Sequence, residues 1–264
     1  MILVSVPCLF IITLRGGIPF LSLVNLIIIL GLREFYLLLA TKGYRPYKFI
    51  GIVCGLAVSW HVYRGGAAIS LLMTMTLLLI MIRELFRRDK SHSLNHIAVT
   101  VLGVLYVGWL GSHLVMLREL PAVVGVSDSV GAKLIFFVAA VTWVGDTTAY
   151  LVGIAVGAHL LLPRVSPKKT VEGAIGGLIG STGAGLLCSV TFMPFITPVT
   201  GAFLGLAGGL FGQLGDLVES LLKRDVGIKD TAGLIPGHGG ILDRFDSLLF
   251  SGPVLYYYFR FFVV

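Results

Sequence analysis

Long apolar runs constrain the fold of this 264-residue chain more than any other feature of its sequence. About 20 consecutive apolar residues are enough to cross a bilayer as a helix. The runs are continuous and show no period-2 alternation, which argues against a transmembrane barrel. Asp, Glu, Lys and Arg make up 12% of the residues, roughly half of their share in soluble domains. The sequence therefore predicts an all-α, polytopic integral membrane protein.

The apolar runs divide into about nine candidate transmembrane helices. Their approximate ranges are 1–14, 18–41, 48–62, 67–86, 96–116, 132–157, 171–192, 199–222 and 247–263. The first run lacks a basic start and a small-residue cleavage site, so we predict a retained helix rather than a removed signal peptide. We divide the chain into N-terminal helices (1–90), middle helices (91–165) and a C-terminal region with the densest polar motifs (166–264).

The basic residues predict the orientation of the helices. One set of alternate loops holds fifteen of the 20 basic residues: Arg33, Lys42, Arg45, Lys48, Arg83, Arg87, Arg88, Lys90, Arg164, Lys168, Lys169, Lys223, Arg224, Lys229 and Arg244. Because Lys and Arg concentrate on the cytoplasmic side, we predict a multi-pass protein of the inner (plasma) membrane. The N-terminus and the 223–246 segment would be cytoplasmic and the C-terminus outside. No aromatic-interleaved basic face is present, so we expect no nucleic-acid partner.

Two aspartates lie inside otherwise apolar helices, Asp146 and Asp216. A charge at membrane depth is costly and usually faces a cavity, a partner side chain or an ion. For Asp216, which precedes a dense polar segment, this favours a functional role. For Asp146, an ion pair with a neighbouring helix is an equally good interpretation.

The segment that follows Asp216 has the composition of a polyphosphate site. On a helix, Asp216, Ser220 and Lys223 share one face. Asp243 and Asp246 are three residues apart, so they also share a face of their helix. Carboxylates that converge from different helices form a hard oxygen site suited to Mg²⁺. Cations that would neutralise phosphate oxygens surround them, at Lys223, Arg224, Lys229 and Arg244.

Two loops extend this pattern. The glycine-rich turn of residues 236–240, P-G-H-G-G, precedes the last helix, and its backbone N–H groups are placed to bind an anion. The loop of residues 164–173 places Lys168 and Lys169 for phosphate contacts. A solvated basic loop that merely follows the topology explains the second loop equally well.

The run from Ser220 to Asp246 resembles the signature of the phosphatidate cytidylyltransferases (CDP-diacylglycerol synthases). The matching positions are Ser220, Lys223, Arg224, Lys229, Asp230, His238, Gly239, Gly240, Asp243, Arg244 and Asp246. The S-P-K-K-T-x-E-G loop and the Gly145–Asp146 pair are also similar to this family. The resemblance is strong over about 140–250 and only compositional over the first 130 residues.

The resemblance implies an all-helical, Mg²⁺-dependent enzyme that converts CTP and phosphatidic acid to CDP-diacylglycerol and pyrophosphate. It leaves room for a second metal ion or a monovalent cation, and it is compatible with a homodimer. The implied catalytic residues are Asp216, Lys223, Arg224, Asp243 and Asp246. The implied metal ligands are Asp216 and Asp246, with Asp243 either a third ligand or a group that orients Arg244. The implied substrate-binding residues are Lys168, Lys169, Ser220, Lys229, His238, Gly239, Gly240 and Arg244.

Three other classes of protein explain part of the pattern. An ion-coupled transporter would use Asp146 and Asp216 as ion sites, but it does not account for the cytoplasmic cluster of acids and cations. An intramembrane aspartyl protease would pair the same two aspartates and has no use for the basic segment. A polyprenol or phytol kinase also acts on a lipid with a nucleoside triphosphate, and the H-G-G-x-x-D-R-x-D ending argues against it.

Overall fold

The computed structural model describes residues 2–227 and 240–263 as helices joined by short connections and one β-hairpin. The helices of the first half are α1 (Ile2–Arg15), α2 (Gly17–Ala40), α3 (Lys48–Tyr63), α4 (Ile69–Leu85), α5 (Ser93–Gly103) and α6 (Leu110–Val124). Those of the second half are α7 (Ser129–Val156), α8 (Val171–Thr191), α9 (Pro198–Asp225) and α10 (Leu242–Tyr258). A π-helical stretch, Val104–Trp109, joins α5 to α6, and another, Phe259–Val263, follows α10.

The all-α, multi-pass membrane character predicted from the sequence is confirmed. Within residues 2–227 and 240–263, five helical segments are long and apolar enough to cross a bilayer: Gly17–Ala40, Ser93–Val124, Ser129–Val156, Val171–Thr191 and Pro198–Asp225. A helix also lies at each of the nine predicted ranges, with ends that differ by up to eight residues. The number of helices that cross the membrane, nine, stays a prediction, as does the division at residues 90 and 165.

Chain contacts divide the protein into two compact units. The first unit comprises Met1–Glu119 and Val226–Arg244, and the second comprises Leu120–Asp225 and Phe245–Val264. In the first unit, α2 is the central helix, with one face of side chains completely buried, among them Val24, Ile28, Leu32 and Phe35. The Tyr36 hydroxyl on α2 donates a hydrogen bond to the carbonyl oxygen of Thr100 on α5, 2.8 Å away.

A buried ionic network fixes one end of the first unit. The Glu84 carboxylate at the end of α4 accepts a hydrogen bond from Arg87 Nε at 2.9 Å and lies 3.3 Å from His96 Nδ1 on α5. The Arg87 guanidinium stacks over the Tyr47 ring, 4.4 Å from its centroid. Each buried charge therefore has a partner, as burial in a low-dielectric interior requires.

The second unit is held together by close contact between helix backbones. At Gly185, Gly201 and Gly205, α8 and α9 approach so closely that an added Cβ would overlap backbone atoms of the other helix. The Ser181 hydroxyl on α8 donates a hydrogen bond to the Val141 carbonyl oxygen on α7 at 3.0 Å. Small residues and interhelical hydrogen bonds of this kind drive helix association in lipid, where apolar surface alone gives little preference.

We expect Gly205→Ala to destabilise the protein by about 1–3 kcal/mol, the usual cost of overpacking. The added methyl would overlap the carbonyl oxygen of Ser181 and force α9 away from α8. Gly183→Ala on α8 is the matched control, because a Cβ there would meet no atom within 4 Å. The control should lie within about 1 kcal/mol of the wild type, on the stabilising side. Unfolding in detergent micelles, followed by circular dichroism, measures both, and equal stability of the two variants would contradict this account of the packing.

The loop between α7 and α8 folds into a hairpin that the sequence did not predict. Strand β1 (Leu160–Leu162) pairs antiparallel with β2 (Ser166–Thr170), with Leu160 opposite Thr170 and Leu162 opposite Ser166. Pairing satisfies backbone groups that a bare loop would leave to water. The predicted loop is thus a defined element of the second unit, although the all-α class of the protein is unchanged.

Candidate functional site

The centre of the candidate site is Asp216 on α9. One carboxylate oxygen of Asp216 forms an ion pair with the Lys169 ammonium at the end of β2. The other accepts a hydrogen bond from the Ser220 hydroxyl, one turn further along α9, at 3.5 Å. The predicted shared face of Asp216 and Ser220 is therefore present, and Lys169 brings the hairpin to the same carboxylate.

Two further aspartates of the second unit converge on Asp216. Asp146 on α7 and Asp246 on α10 are close enough to Asp216, and to each other, to interact electrostatically. Ser247 connects them, because its hydroxyl donates to Asp146 Oδ2 at 3.4 Å and its backbone N–H donates to Asp246 Oδ1 at 2.6 Å. Asp146 is exposed, Asp216 is about one-third exposed (33%), and Asp246 is buried. The cluster is thus accessible from the side of Asp146.

A fourth acid, Glu219, contacts one of the three aspartates. Its carboxyl group is buried, contacts that of Asp246 and lies 3.7 Å from the Lys223 ammonium one turn along α9. Lys223, which the sequence places beside Asp216 and Ser220, is therefore held at the site by Glu219. Glu219 is absent from the residues predicted for the site. Its position three residues after Asp216 on a helix places it on the same face, which is the signal that could have identified it.

Two Gly-Asp pairs explain how the aspartates meet. A Cβ on Gly215 would overlap the backbone carbonyl oxygen of Asp246, and a Cβ on Gly145 would overlap the Ser181 hydroxyl. Helix α10 therefore packs directly on the α9 backbone beside Asp216, and α8 packs on α7 beside Asp146. The glycines allow helix axes to come close enough for short Asp side chains to share one site.

The hairpin that carries Lys169 is anchored at both of its ends. Thr170 caps α8 by accepting a hydrogen bond from the Gly173 N–H at 3.1 Å. Glu172, in the first turn of α8, accepts from the backbone N–H of Ala158 at 3.1 Å and contacts His159 Nδ1 at 2.6 Å. The Arg224 guanidinium at the end of α9 donates to the Val165 carbonyl oxygen in the turn of the hairpin at 3.1 Å. Arg224, predicted as catalytic, thus has a structural contact that the sequence did not indicate.

The donor chemistry of the cluster fits a hard divalent cation. Carboxylate oxygens are the ligands that Mg²⁺ prefers. Two ammonium groups accompany the four carboxylates, since Lys169 pairs with Asp216 and Lys223 lies beside Glu219. Within residues 2–227 and 240–263, however, no three His, Cys, Asp or Glu side chains are arranged closely enough to hold a metal ion together. The residues therefore supply the charge and the ligand type of a magnesium site, but not a closed coordination shell.

The remaining predicted residues are distributed as follows. Lys168 is exposed on β2, and Gly240 is buried immediately before α10. Asp243 and Arg244 lie in the first turn of α10, half-buried and exposed respectively, and both belong to the first unit. Their part in the site stays a prediction. Lys229, His238 and Gly239 lie outside the described residues.

Comparison with known proteins identifies the family of the chain. The chain matches the cytidylyltransferase family over residues 1–262. It is 34% identical over 274 residues to the phosphatidate cytidylyltransferase of Synechocystis sp., covering 97% of this chain and 93% of the relative. The enzyme of the same name from Staphylococcus aureus is 34% identical over 249 residues, covering 92% and 91%. That of Bacillus subtilis is 37% identical over 193 residues, covering 72% and 65%. The resemblance seen in residues 220–246 thus extends along the whole chain, which belongs to the cytidylyltransferase family.

Proposed function

We propose that the protein is a phosphatidate cytidylyltransferase, which converts CTP and phosphatidic acid to CDP-diacylglycerol and pyrophosphate. The observation that carries the proposal is the convergence of Asp146, Asp216 and Asp246 beside the Lys169 ammonium in a chain of apolar helices. Clustered carboxylates hold the cations that accompany a nucleoside triphosphate, and Lys is a common phosphate ligand. A site of this kind within membrane helices suits a reaction between a soluble nucleotide and a lipid.

Asp216 and Asp246 would hold Mg²⁺, with Asp146 beside them as a further carboxylate. The bound ion would neutralise charge on the phosphate oxygens of the nucleotide as the phosphoryl group changes partner. A second metal ion or a monovalent cation is compatible with the excess of carboxylates. Asp243, on the first turn of α10, would serve either as a third ligand or to orient Arg244.

The chain's own residues act by binding and orientation. Lys169, Lys223 and Arg224 would neutralise the triphosphate and the lipid phosphate, together with Lys168, Lys229 and Arg244. Ser220, His238 and the backbone of Gly239 and Gly240 would bind phosphate oxygens through hydrogen bonds. A phosphate oxygen of phosphatidic acid then forms a bond to the α-phosphorus of CTP, the bond from that phosphorus to the bridging oxygen breaks, and pyrophosphate leaves. Because the lipid phosphate is itself the nucleophile, catalysis comes mainly from positioning and charge stabilisation.

The distribution of basic residues supports an inner-membrane protein whose 223–246 segment faces the cytoplasm. CTP is available on that side. The acyl chains of phosphatidic acid would remain in the bilayer while its phosphate reaches the carboxylate cluster. A homodimer is compatible with this arrangement and stays a prediction.

The reaction is tested with detergent-purified protein, phosphatidic acid, Mg²⁺ and CTP labelled at the α-phosphorus. We expect label to enter the organic phase as CDP-diacylglycerol, and to stay in the aqueous phase when Mg²⁺ is chelated with EDTA. A parallel reaction with CTP labelled at the γ-phosphorus and a polyprenol acceptor tests the kinase alternative. Label from the γ-phosphorus in lipid, with none from the α-phosphorus, would replace the proposed function with a lipid kinase. Folded protein that gives neither product would contradict both.

A further inference from the structure

A buried glutamate in the N-terminal region contacts the start of α10. Glu34 on α2 is completely buried. Its Oε2 accepts hydrogen bonds from the backbone N–H groups of Ile241 at 2.7 Å and Leu242 at 3.2 Å. All three residues belong to the first compact unit, although 207 positions separate Glu34 from Ile241 in the chain.

This contact caps a helix whose two preceding residues have no side-chain acceptor. The residues directly before α10 are Gly240 and Ile241, and neither has a side-chain oxygen to accept a bond from the first N–H groups of the helix. The Glu34 carboxylate takes that role, and its negative charge is favourable at a helix N-terminus. Packing supports the contact, because the Leu242 side chain lies against Gly31, one turn before Glu34 on α2.

Packing alone does not explain a carboxylate at this position. The second oxygen, Oε1, is buried and has no hydrogen-bond partner among the described residues. Burial of a charged group with incomplete pairing costs free energy that an apolar side chain of similar volume would avoid. The Glu34 carboxylate therefore costs stability where it lies, and what it provides in return is a fixed start for α10.

That start bears directly on the candidate site. Helix α10 carries Asp243 and Arg244 in its first turn and Asp246 in the second. A shift or rotation of the first turn is transmitted along the same helix to Asp246. We propose that Glu34 is a positioning residue for cytidylyl transfer, which holds the first turn of α10 so that the acidic residues of α10 are correctly oriented. This inference rests on the proposed function.

The test compares four variants for turnover and for backbone protection. Glu34→Ala, which removes the cap, should lower kcat about tenfold, because small displacements of catalytic groups cost rate steeply. Its KM for CTP should stay within about twofold of wild type, since the change does not remove a nucleotide contact. Glu34→Gln keeps an oxygen that accepts the same bonds and should restore kcat to within about threefold of wild type. Glu34→Asp keeps the charge, but its side chain is one methylene shorter, so the carboxylate no longer reaches the start of α10. It replaces the alanine variant in the test if that variant does not fold.

The matched control is Glu119→Ala in the same unit. The Glu119 carboxylate accepts a hydrogen bond from the Gly17 N–H at 3.0 Å, at the start of α2, so it too is a glutamate that caps another helix. This variant should lose stability without losing kcat. Hydrogen exchange measured by mass spectrometry gives a readout independent of activity. Exchange at Ile241 and Leu242 should accelerate at least about tenfold in Glu34→Ala and stay unchanged in Glu119→Ala.

Three results would overturn the inference: wild-type kcat in folded Glu34→Ala, an equal loss of kcat in Glu119→Ala, or an equal loss in Glu34→Gln and Glu34→Ala. An equal loss in these two variants would mean that the negative charge, and not the two hydrogen bonds to the start of α10, carries the effect. If the wild-type protein makes no CDP-diacylglycerol, the proposed function fails. Hydrogen exchange at residues 241 and 242 then decides separately whether Glu34 anchors the helix.

Discussion

The Asp216→Asn and Asp246→Asn variants are each expected to lose about a thousandfold in the rate of CDP-diacylglycerol formation. Asparagine has the same shape as aspartate and keeps an oxygen that accepts the bonds from Ser220 and from the Ser247 N–H. It lacks the negative charge that makes a carboxylate a strong ligand for a divalent cation. The loss should therefore appear without unfolding. Transfer of α-phosphorus label from CTP to lipid measures it, over a range of Mg²⁺ concentrations.

Asp225→Asn is the matched control for this pair. Asp225 is the last residue of α9, the helix that carries Asp216, and its side chain is exposed. Neutralising an acid at a helix C-terminus does not weaken the helix, since negative charge is unfavourable there. The control should keep the wild-type rate. Full activity in either Asp216→Asn or Asp246→Asn would remove that residue from the metal site and leave Asp146 and Asp243 as the remaining candidates.

The Gly215→Ala variant is expected to lose about a hundredfold in the same rate, because a displacement of about 1 Å in a catalytic constellation has this cost. A methyl group on Gly215 would overlap the Asp246 carbonyl oxygen and lie 3.1 Å from Phe250 Cβ. Helix α10 would have to move away from α9, and Asp246 would move away from Asp216. The change adds no charge and removes no ligand, so its effect reports the distance between the two helices.

Gly212→Ala provides the comparison, since Gly212 lies one turn earlier on α9 and faces the same helix. A methyl group there would be 3.6 Å from both Ser247 Cβ and Thr142 Cγ2, which is ordinary van der Waals contact. We expect this variant to keep activity within about threefold of wild type and to gain slightly in helix stability. Both variants should elute as a single peak in size-exclusion chromatography, which shows that the rates are measured on folded protein. Equal activity of the two glycine variants would show that close approach of α9 and α10 is not needed for the reaction.

The helices themselves were predictable because the rule that forms them is local. In lipid, each backbone N–H and C=O must form its hydrogen bond within its own segment, and a long apolar run therefore folds as a helix. The predicted ranges 18–41, 132–157 and 199–222 accordingly correspond to α2, α7 and α9. The hairpin at residues 160–170 was missed, because short pairing between two loop segments leaves no periodic pattern in so few residues.

The candidate site was predictable in its acids and cations but not in their partners. Asp216 and Ser220 are four residues apart on one helix, so their contact follows from helix geometry. The contact of Asp146 with Ser247 spans 101 positions and depends on how closely α7, α8, α9 and α10 pack. Whether Asp146 was functional or a structural ion pair therefore had no answer in the local pattern.

The sequence by itself determined that the chain is helical and lies in a membrane, and it predicted an acidic and basic segment suited to a polyphosphate. Hydropathy and helical spacing depend on residues within a few turns of one another, so both can be deduced from consecutive residues. Only the tertiary structure decided that Lys169 pairs with Asp216, that Glu219 contacts Asp246, and that Glu34 caps α10. These contacts join distant parts of the chain, and they depend on helix backbones meeting at individual glycines, a distance that no local pattern encodes.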